Sequence, residues 1–380
     1  MTQELLRYVL PFAVGVLSSA TGHAVQAKEL LVFISAFDAG AGGLYACKLE
    51  VDTGRLEVLH RTTDAKQPFF LALSPDRKFL YATHAPGTFG GKENEQVSAY
   101  QIVGSEGELR LLNRESSLGT STCYVDVDAT GKTVVAANYS TGSVAAFPIR
   151  ADGSLGKSTS FLQHQGSSVN RERQEGPHAH CMVISPSNRF AYSADLGLDK
   201  VFSYRLDASH ARLSPGGQPF VRTPPGAGPR HLTFHPNGRH VYVINELANS
   251  VTMFDHDPES GFLIERPTIS TLPKDFTGTS HCADVKITPD GRFLYGTNRG
   301  HDSIAAFRIG ANGQLTLLEI VPSLGKGPQN LAITPGGELL LCANMPGNNV
   351  AVFRIDAARG SLTSLGQPLS LPGPSCIKIR

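Results

Sequence analysis

Apolar and polar positions alternate in short runs along most of the chain, and the clearest instance is Gly228 to Val251, GPRHLTFHPNGRHVYVINELANSV. His231 to His235 alternates around Leu232 and Phe234, and Pro236-Asn237-Gly238 breaks the run. Val241-Tyr242-Val243-Ile244 then opens a second, β-branched run. Pro and Gly between two such runs predict a β-hairpin. After the polar interruption Asn245 to Asn249, Ser250-Val251-Thr252-Met253-Phe254 alternates as a third strand, and Phe262-Leu263-Ile264 starts a weaker fourth.

The unit recurs. Its turn reappears as Ser74-Pro75-Asp76, Asp128-Ala129-Thr130-Gly131, Ser185-Pro186-Ser187, Thr288-Pro289-Asp290-Gly291 and Thr334-Pro335-Gly336-Gly337, at steps of 54, 57, 50, 53 and 46 residues. A seventh copy is split between the chain ends. Leu31 to Ser35 and Leu44 to Ala46 match the second and third strands but lack a first, and Gly373-Pro374-Ser375-Cys376-Ile377-Lys378-Ile379 reads like the first strand at Gly327 to Ile333. Four-stranded units at this period predict an all-β, seven-bladed β-propeller whose C-terminal strand completes the first blade and removes the open sheet edges. One domain over residues 28–380 then accounts for the chain. Its later blades begin near Pro68, Thr122, Pro177, Pro229, Ser280 and Pro328. A Gly-rich loop, Ala85 to Glu95, interrupts the second blade. A Ser- and Arg-rich loop, Gly166 to Gln174, follows the third and reads as polar surface, with a substrate lid as the alternative.

Ahead of the repeats, Arg7 precedes the apolar run Tyr8 to Leu17, and Ala24-Val25-Gln26-Ala27 offers the small residues of a cleavage site. Residues 1–27 are therefore expected to be a secretory signal cut after Ala27, because the run is shorter than the roughly twenty residues a spanning helix needs. The mature chain is then exported, and periplasmic in a Gram-negative source. Six cysteines are scattered over different repeats without C-x-x-C spacing, so they read as small buried hydrophobes rather than as disulfides or nucleophiles. A net charge of +1 offers no attraction for nucleic acid.

In an antiparallel blade the start of the first strand and the end of the second lie at the same end. Counting five back from each turn gives Phe69, Cys123, His180, Arg230, Ala283 and Gln329. The end of the second strand gives Ala85, Tyr139, Leu196, Glu246, Arg299 and Met345. Since neighbouring copies manage with Ala, Leu or Met, the fold itself does not require charge here. Successive blades nevertheless supply His180, Arg230 with Glu246, and Arg299, which are expected to converge on one channel mouth as the catalytic set. His178, His281, Asn298 and Gln329 are the expected substrate-binding neighbours. The column His84, Asn138, Asp195, Asn245, Asn298 and Asn344 is uniform enough to be scaffold as well. His178, His180 and His281 have the makings of a metal site, but no carboxylate or cysteine cluster supports them, and neither metal nor cofactor is expected.

The motifs Gly-Pro-Arg230-His-Leu-Thr-Phe-His-Pro-Asn-Gly, Tyr242-Val-Ile-Asn-Glu246-Leu and Ile287-Thr-Pro-Asp-Gly-Arg-Phe-Leu-Tyr with Asn298-Arg299 resemble the seven-bladed propeller lactonase family. That family includes propeller-type 6-phosphogluconolactonases and fungal carboxy-muconate cyclases, and the resemblance runs from about Leu30 to Arg380. It implies a small-molecule lactone or carboxylate as partner, a site at one end of the channel, and functional roles for His180, Arg230, Glu246 and Arg299. A monomer or weak oligomer, free of the membrane once the leader is removed, is expected. Cyclisation of an unsaturated diacid and a non-catalytic binding propeller are the alternatives. The absence of Trp removes the WD signature and the dockings expected of quinone-dependent propellers.

Overall fold

The computed structural model describes residues 28–380, so the expected leader lies outside the described residues. Seven four-stranded antiparallel sheets follow one another around a ring. The first blade takes its innermost strand, Pro374–Ile379, from the far end of the chain. This strand pairs with Glu29–Ala36 in the register Val32↔Ile379 and Ile34↔Ile377, and the ring closes without a free inner edge. Blade five shows the pattern in full, with Pro229–Phe234 innermost, then His240–Asn245, Ser250–His256 and Leu263–Ser270.

Burial grades across each blade as its sequence dictates. Second strands such as His240–Asn245 and Phe190–Asp195 are packed on both faces by neighbouring blades, so they are buried along nearly their whole length and mostly apolar, as in Val241-Tyr242-Val243-Ile244. Outer strands such as Leu263–Ser270 leave most residues in water. Adjacent blades are pinned by a recurring bond. The hydroxyls of Tyr81, Tyr192, Tyr242 and Tyr295 donate to the carbonyls of Gly153, Gly261, Gly313 and Gly360 in the next blade at 2.6–3.0 Å. Those four glycines have φ between +76° and +86°, a region that suits a residue without Cβ.

The asparagine column latches blades as well. The amides of Asn138, Asn298 and Asn344 donate to the carbonyls of Ser117, Thr271 and Ser323, at the end of the preceding blade. Asp195 instead accepts from His164 at 2.6 Å, while His84 leaves both ring nitrogens unpartnered in a buried setting. All six cysteines are free and buried.

Innermost strands carry one irregularity that positions the site. In blade five Pro229 pairs with Asn245 and His231 with Ile244, so Arg230 is an extra, bulged residue. The same skip falls at Cys123, Gln329 and Ser375. A bulge redirects a side chain out of the alternating order. Here it lets residues at the head of the strand face the channel mouth while those that follow line the channel below.

Candidate active site

Nine of the twelve column positions line one cavity of about 320 Å³ at a channel mouth: Phe69, Cys123, Tyr139, His180, Arg230, Glu246, Arg299, Gln329 and Met345. Phe37, Phe89, Ser121 and Arg173 complete it. The walls differ in kind. Blades seven, one and two contribute Met345, Phe37, Phe69 and Phe89, and the three phenyl rings touch one another with centroids 5.0–5.5 Å apart. Blades four to six contribute the charges, with Arg173 added by the loop that precedes blade four.

Glu246 is the centre of the charged wall. Its Oε2 accepts from Arg230 Nε at 2.9 Å and lies 2.8 Å from Arg299 Nη2, while Oε1 accepts from Arg173 Nη2 at 2.7 Å. His180 Nε2 lies 3.9 Å from Oε2. Burial opposes ionisation of the carboxyl, yet the charges of Arg299 and Arg230, with the hydrogen bond from Arg173, outweigh it and hold Glu246 far below the usual carboxylate range. It is an anion with both oxygens engaged.

Arg230 is 1% exposed. Its Nη1 donates to the carbonyl of Ala283 at 2.6 Å and faces His231 Nε2 at 3.1 Å, and its Nη2 makes no hydrogen bond among the described residues. Arg299 is braced by the carbonyls of His281 and Cys282 and approaches Gln329 Oε1 at 3.5 Å. The ring of His180 is buried beside Cys123 Sγ, 3.5 Å from Nδ1. Burial, then the neighbouring Arg230 charge, push its pKa well below the ordinary imidazole value, so it is neutral at pH 7.

The structure brings His180, Arg230, Glu246, Arg299 and Gln329 together around one cavity, and it places the other expected residues, Asn298, His178 and His281, outside the lining. Asn298 does not reach the cavity: it is fully buried, and its amide bonds Thr271 and Ser303 in the blade-to-blade latch. His178 stands behind the wall, stacked on Tyr139 with centroids 4.5 Å apart and facing Glu175. His281 is half-buried at the edge, contributing its carbonyl to Arg299. No group of His, Cys, Asp and Glu suited to a metal ion occurs among the described residues.

Arg173 was hidden from sequence reasoning, because the loop carrying it reads as polar surface. Asp199 turns that loop inward. From a left-handed backbone position (φ 50°), its carboxylate accepts from Ser168 Oγ and Gln174 Nε2 on one side and from the amides of Gly226 and Gly228 on the other. One carboxylate therefore fixes both the Arg173 loop and the approach to Arg230.

The described residues thus form a closed propeller with a two-walled, arginine-rich pocket at one channel mouth. The chain belongs to the seven-bladed β-propeller lactonase family, whose model matches residues 31–379. It is 36% identical over 340 residues to a 6-phosphogluconolactonase of Bacillus subtilis, covering 89% of this chain and 95% of that one. A 6-phosphogluconolactonase of Formosa agariphila is 32% identical over 343 residues, with the same coverage. Among solved structures, the periplasmic gluconolactonase of Pseudomonas aeruginosa matches with a TM-score of 0.87 at 30% identity, covering 93% of this chain and 99% of that one.

Proposed function

We propose that the chain hydrolyses a sugar-type lactone at this mouth. The observation that carries the reading is the pairing of an aromatic wall, suited to the C–H face of a sugar ring, with three arginines and a neutral imidazole on the opposite arc. His180 takes a proton from water as the water oxygen attacks the lactone carbonyl carbon. The oxyanion that forms is met by the unpaired Nη2 of Arg230, with Arg299 and Arg173 beside it. When the ring C–O bond breaks, the imidazolium returns the proton to the departing alkoxide, leaving a hydroxy acid.

Glu246 keeps the arginines in place and stabilises the imidazolium, 3.9 Å away, and does not act as the base. Hydroxyls on the substrate find Gln329 and the Tyr139 phenol within the same cavity. Residues 1–27 are read as a secretory signal, which directs the choice of substrate to lactones met outside the cytoplasm. The periplasmic description of the Pseudomonas relative supports this reading.

The test is acid release from a panel of aldonolactones, with and without a 6-phosphate, by mature protein and by the His180→Ala, Arg230→Ala double variant. Turnover that the folded double variant loses by about a hundredfold or more supports the assignment. Turnover undiminished in the variant, or none above the spontaneous rate, overturns it. The same arginines suit the two carboxylates of an unsaturated diacid, so lactone formed from such a diacid would mark a cyclase instead.

A further inference from the structure

One position below the rim, the innermost strands form a second tier around the channel. It holds Phe70 and Tyr124 in blades two and three, Cys181 in blade four and Cys376 in blade one. These are neutral, so the fold does not call for charge at this level. In blades five and six, however, the tier holds His231 and Asp284, both buried and 2.8 Å apart between Nδ1 and Oδ1.

Their hydrogen-bond directions are fixed by elimination. A guanidinium only donates, and Arg230 Nη1 lies 3.1 Å from His231 Nε2, so Nε2 must carry the lone pair. The ring proton therefore sits on Nδ1 and is donated to Asp284. Asp284 is held in turn by Lys286 Nζ at 2.7 and 2.8 Å, by Asn330 Nδ2 at 2.7 Å and by the amide of Leu331 at 2.9 Å. Phe70 and Tyr124 meet the imidazole edge to face, with centroids 5.7 and 5.1 Å away, which restrains the ring from turning.

We infer that Asp284 and His231 are a positioning relay: Asp284 fixes the His231 tautomer, and His231 Nε2 aims the Arg230 guanidinium so that Nη2 meets the oxyanion. The inference rests on the lactonase reading for its reaction, and on geometry alone for its tautomer. With a second acceptor, the Ala283 carbonyl, the relay takes both protons of Nη1, while Glu246 takes Nε. Three directions are thereby fixed, and one edge of the guanidinium is left for the substrate.

The experiment combines ¹⁵N-histidine NMR with two substitutions. The resonances of His231, assigned by their loss in the variants, should be those of a neutral ring protonated at Nδ1 throughout the neutral range. His231→Leu should lower kcat on an aldonolactone about tenfold or more with little change in KM, because the oxyanion contact belongs to the transition state. His231→Gln, whose amide oxygen can accept from Arg230 in place of Nε2, should recover kcat to within about threefold of wild type. A proton on Nε2, an imidazolium at neutral pH, or Leu and Gln variants with the same kcat would each overturn the relay. A purely structural role would lower the melting temperature of both variants and leave kcat per folded molecule unchanged. If the wild-type protein turns over no lactone, the hydrolase reading falls separately. The NMR tautomer, and the loss of affinity for inorganic sulfate in His231→Leu but not in His231→Gln, then decide the relay.

Discussion

Replacing Glu246 by Gln keeps the shape of the side chain and removes its charge. In the native site three guanidinium groups surround one carboxylate at 2.7–2.9 Å, and that carboxylate is 6% exposed. Taking one partner from a buried ion pair costs about 3–5 kcal/mol, since the remaining charge is left without compensation. Arg173 and Arg299 are 35% and 26% exposed, so water and salt screen their share and Arg230 bears most of the penalty. The lower end, about 3 kcal/mol, is therefore the expected loss.

Urea denaturation of wild type and Glu246→Gln at pH 7 measures it, as a lower midpoint with an unchanged slope. Sulfate should restore more stability to the variant than to wild type, because an anion held in the adjoining cavity offsets the arginine charges that Gln leaves uncompensated. The pH dependence follows from the direction of the Glu246 shift. Its folded pKa is depressed below the ordinary 4.5, so its contribution is present above pH 4.5 and is lost as pH falls towards the folded value. The gap between wild type and variant should close in that acid range. A variant within 1 kcal/mol of wild type at pH 7, insensitive to sulfate, would refute the argument that the carboxylate is what keeps three arginines together.

Buried imidazoles give a second acid sensitivity. Burial, then Arg114, lower His84 to about 4, and burial, then Arg230, lower His231 to about 3, from 6.5. Below pH 6.5 the unfolded chain takes up protons that the folded one refuses. Stability should therefore fall by about 1.4 kcal/mol per ring and pH unit until the folded values are reached. His84→Asn should reduce the slope of melting temperature against pH between 6.5 and 4, and an unchanged slope would disprove the His84 contribution. The blade latch is open to a separate test: Tyr242→Phe leaves the Gly313 carbonyl unpaired and should cost about 1–3 kcal/mol in thermal or urea unfolding. Gly313→Ala should cost more, because its φ is +79° and its Cβ would stand 2.4 Å from Met253 and 2.9 Å from the His240 ring.

How far the site could be read in advance depended on whether a residue had a place in the repeat. Arg230 and Gln329 are five residues before a recognisable turn, while Glu246 directly follows and Arg299 ends a strand whose length hardly varies, so counting within the unit located them. The counting worked for a reason that the hydrophobic pattern alone does not show. Simple alternation would place Arg230 and His231 on opposite faces of their strand, whereas the bulge turns both towards the channel, one at the mouth and one a tier below. The second tier was consequently passed over in the sequence, although His231 and Asp284 depart from their columns as plainly as Arg230 and Glu246 do. Arg173, Phe37 and Phe89 lie in connections, where no repeat supplies a coordinate. Their inward placement depends on local ties such as the four bonds accepted by Asp199, whose donors come from segments up to 31 residues away. Asn298 marks the opposite limit, because a polar residue next to the rim in the sequence was already committed to holding two blades together. In this fold the repeat places most of both walls, from Arg230 and Glu246 to Phe69 and Met345, and the loops add Arg173, Phe37 and Phe89, so discrimination among small ligands is expected to rest with residues such as Phe89 that the repeat does not position.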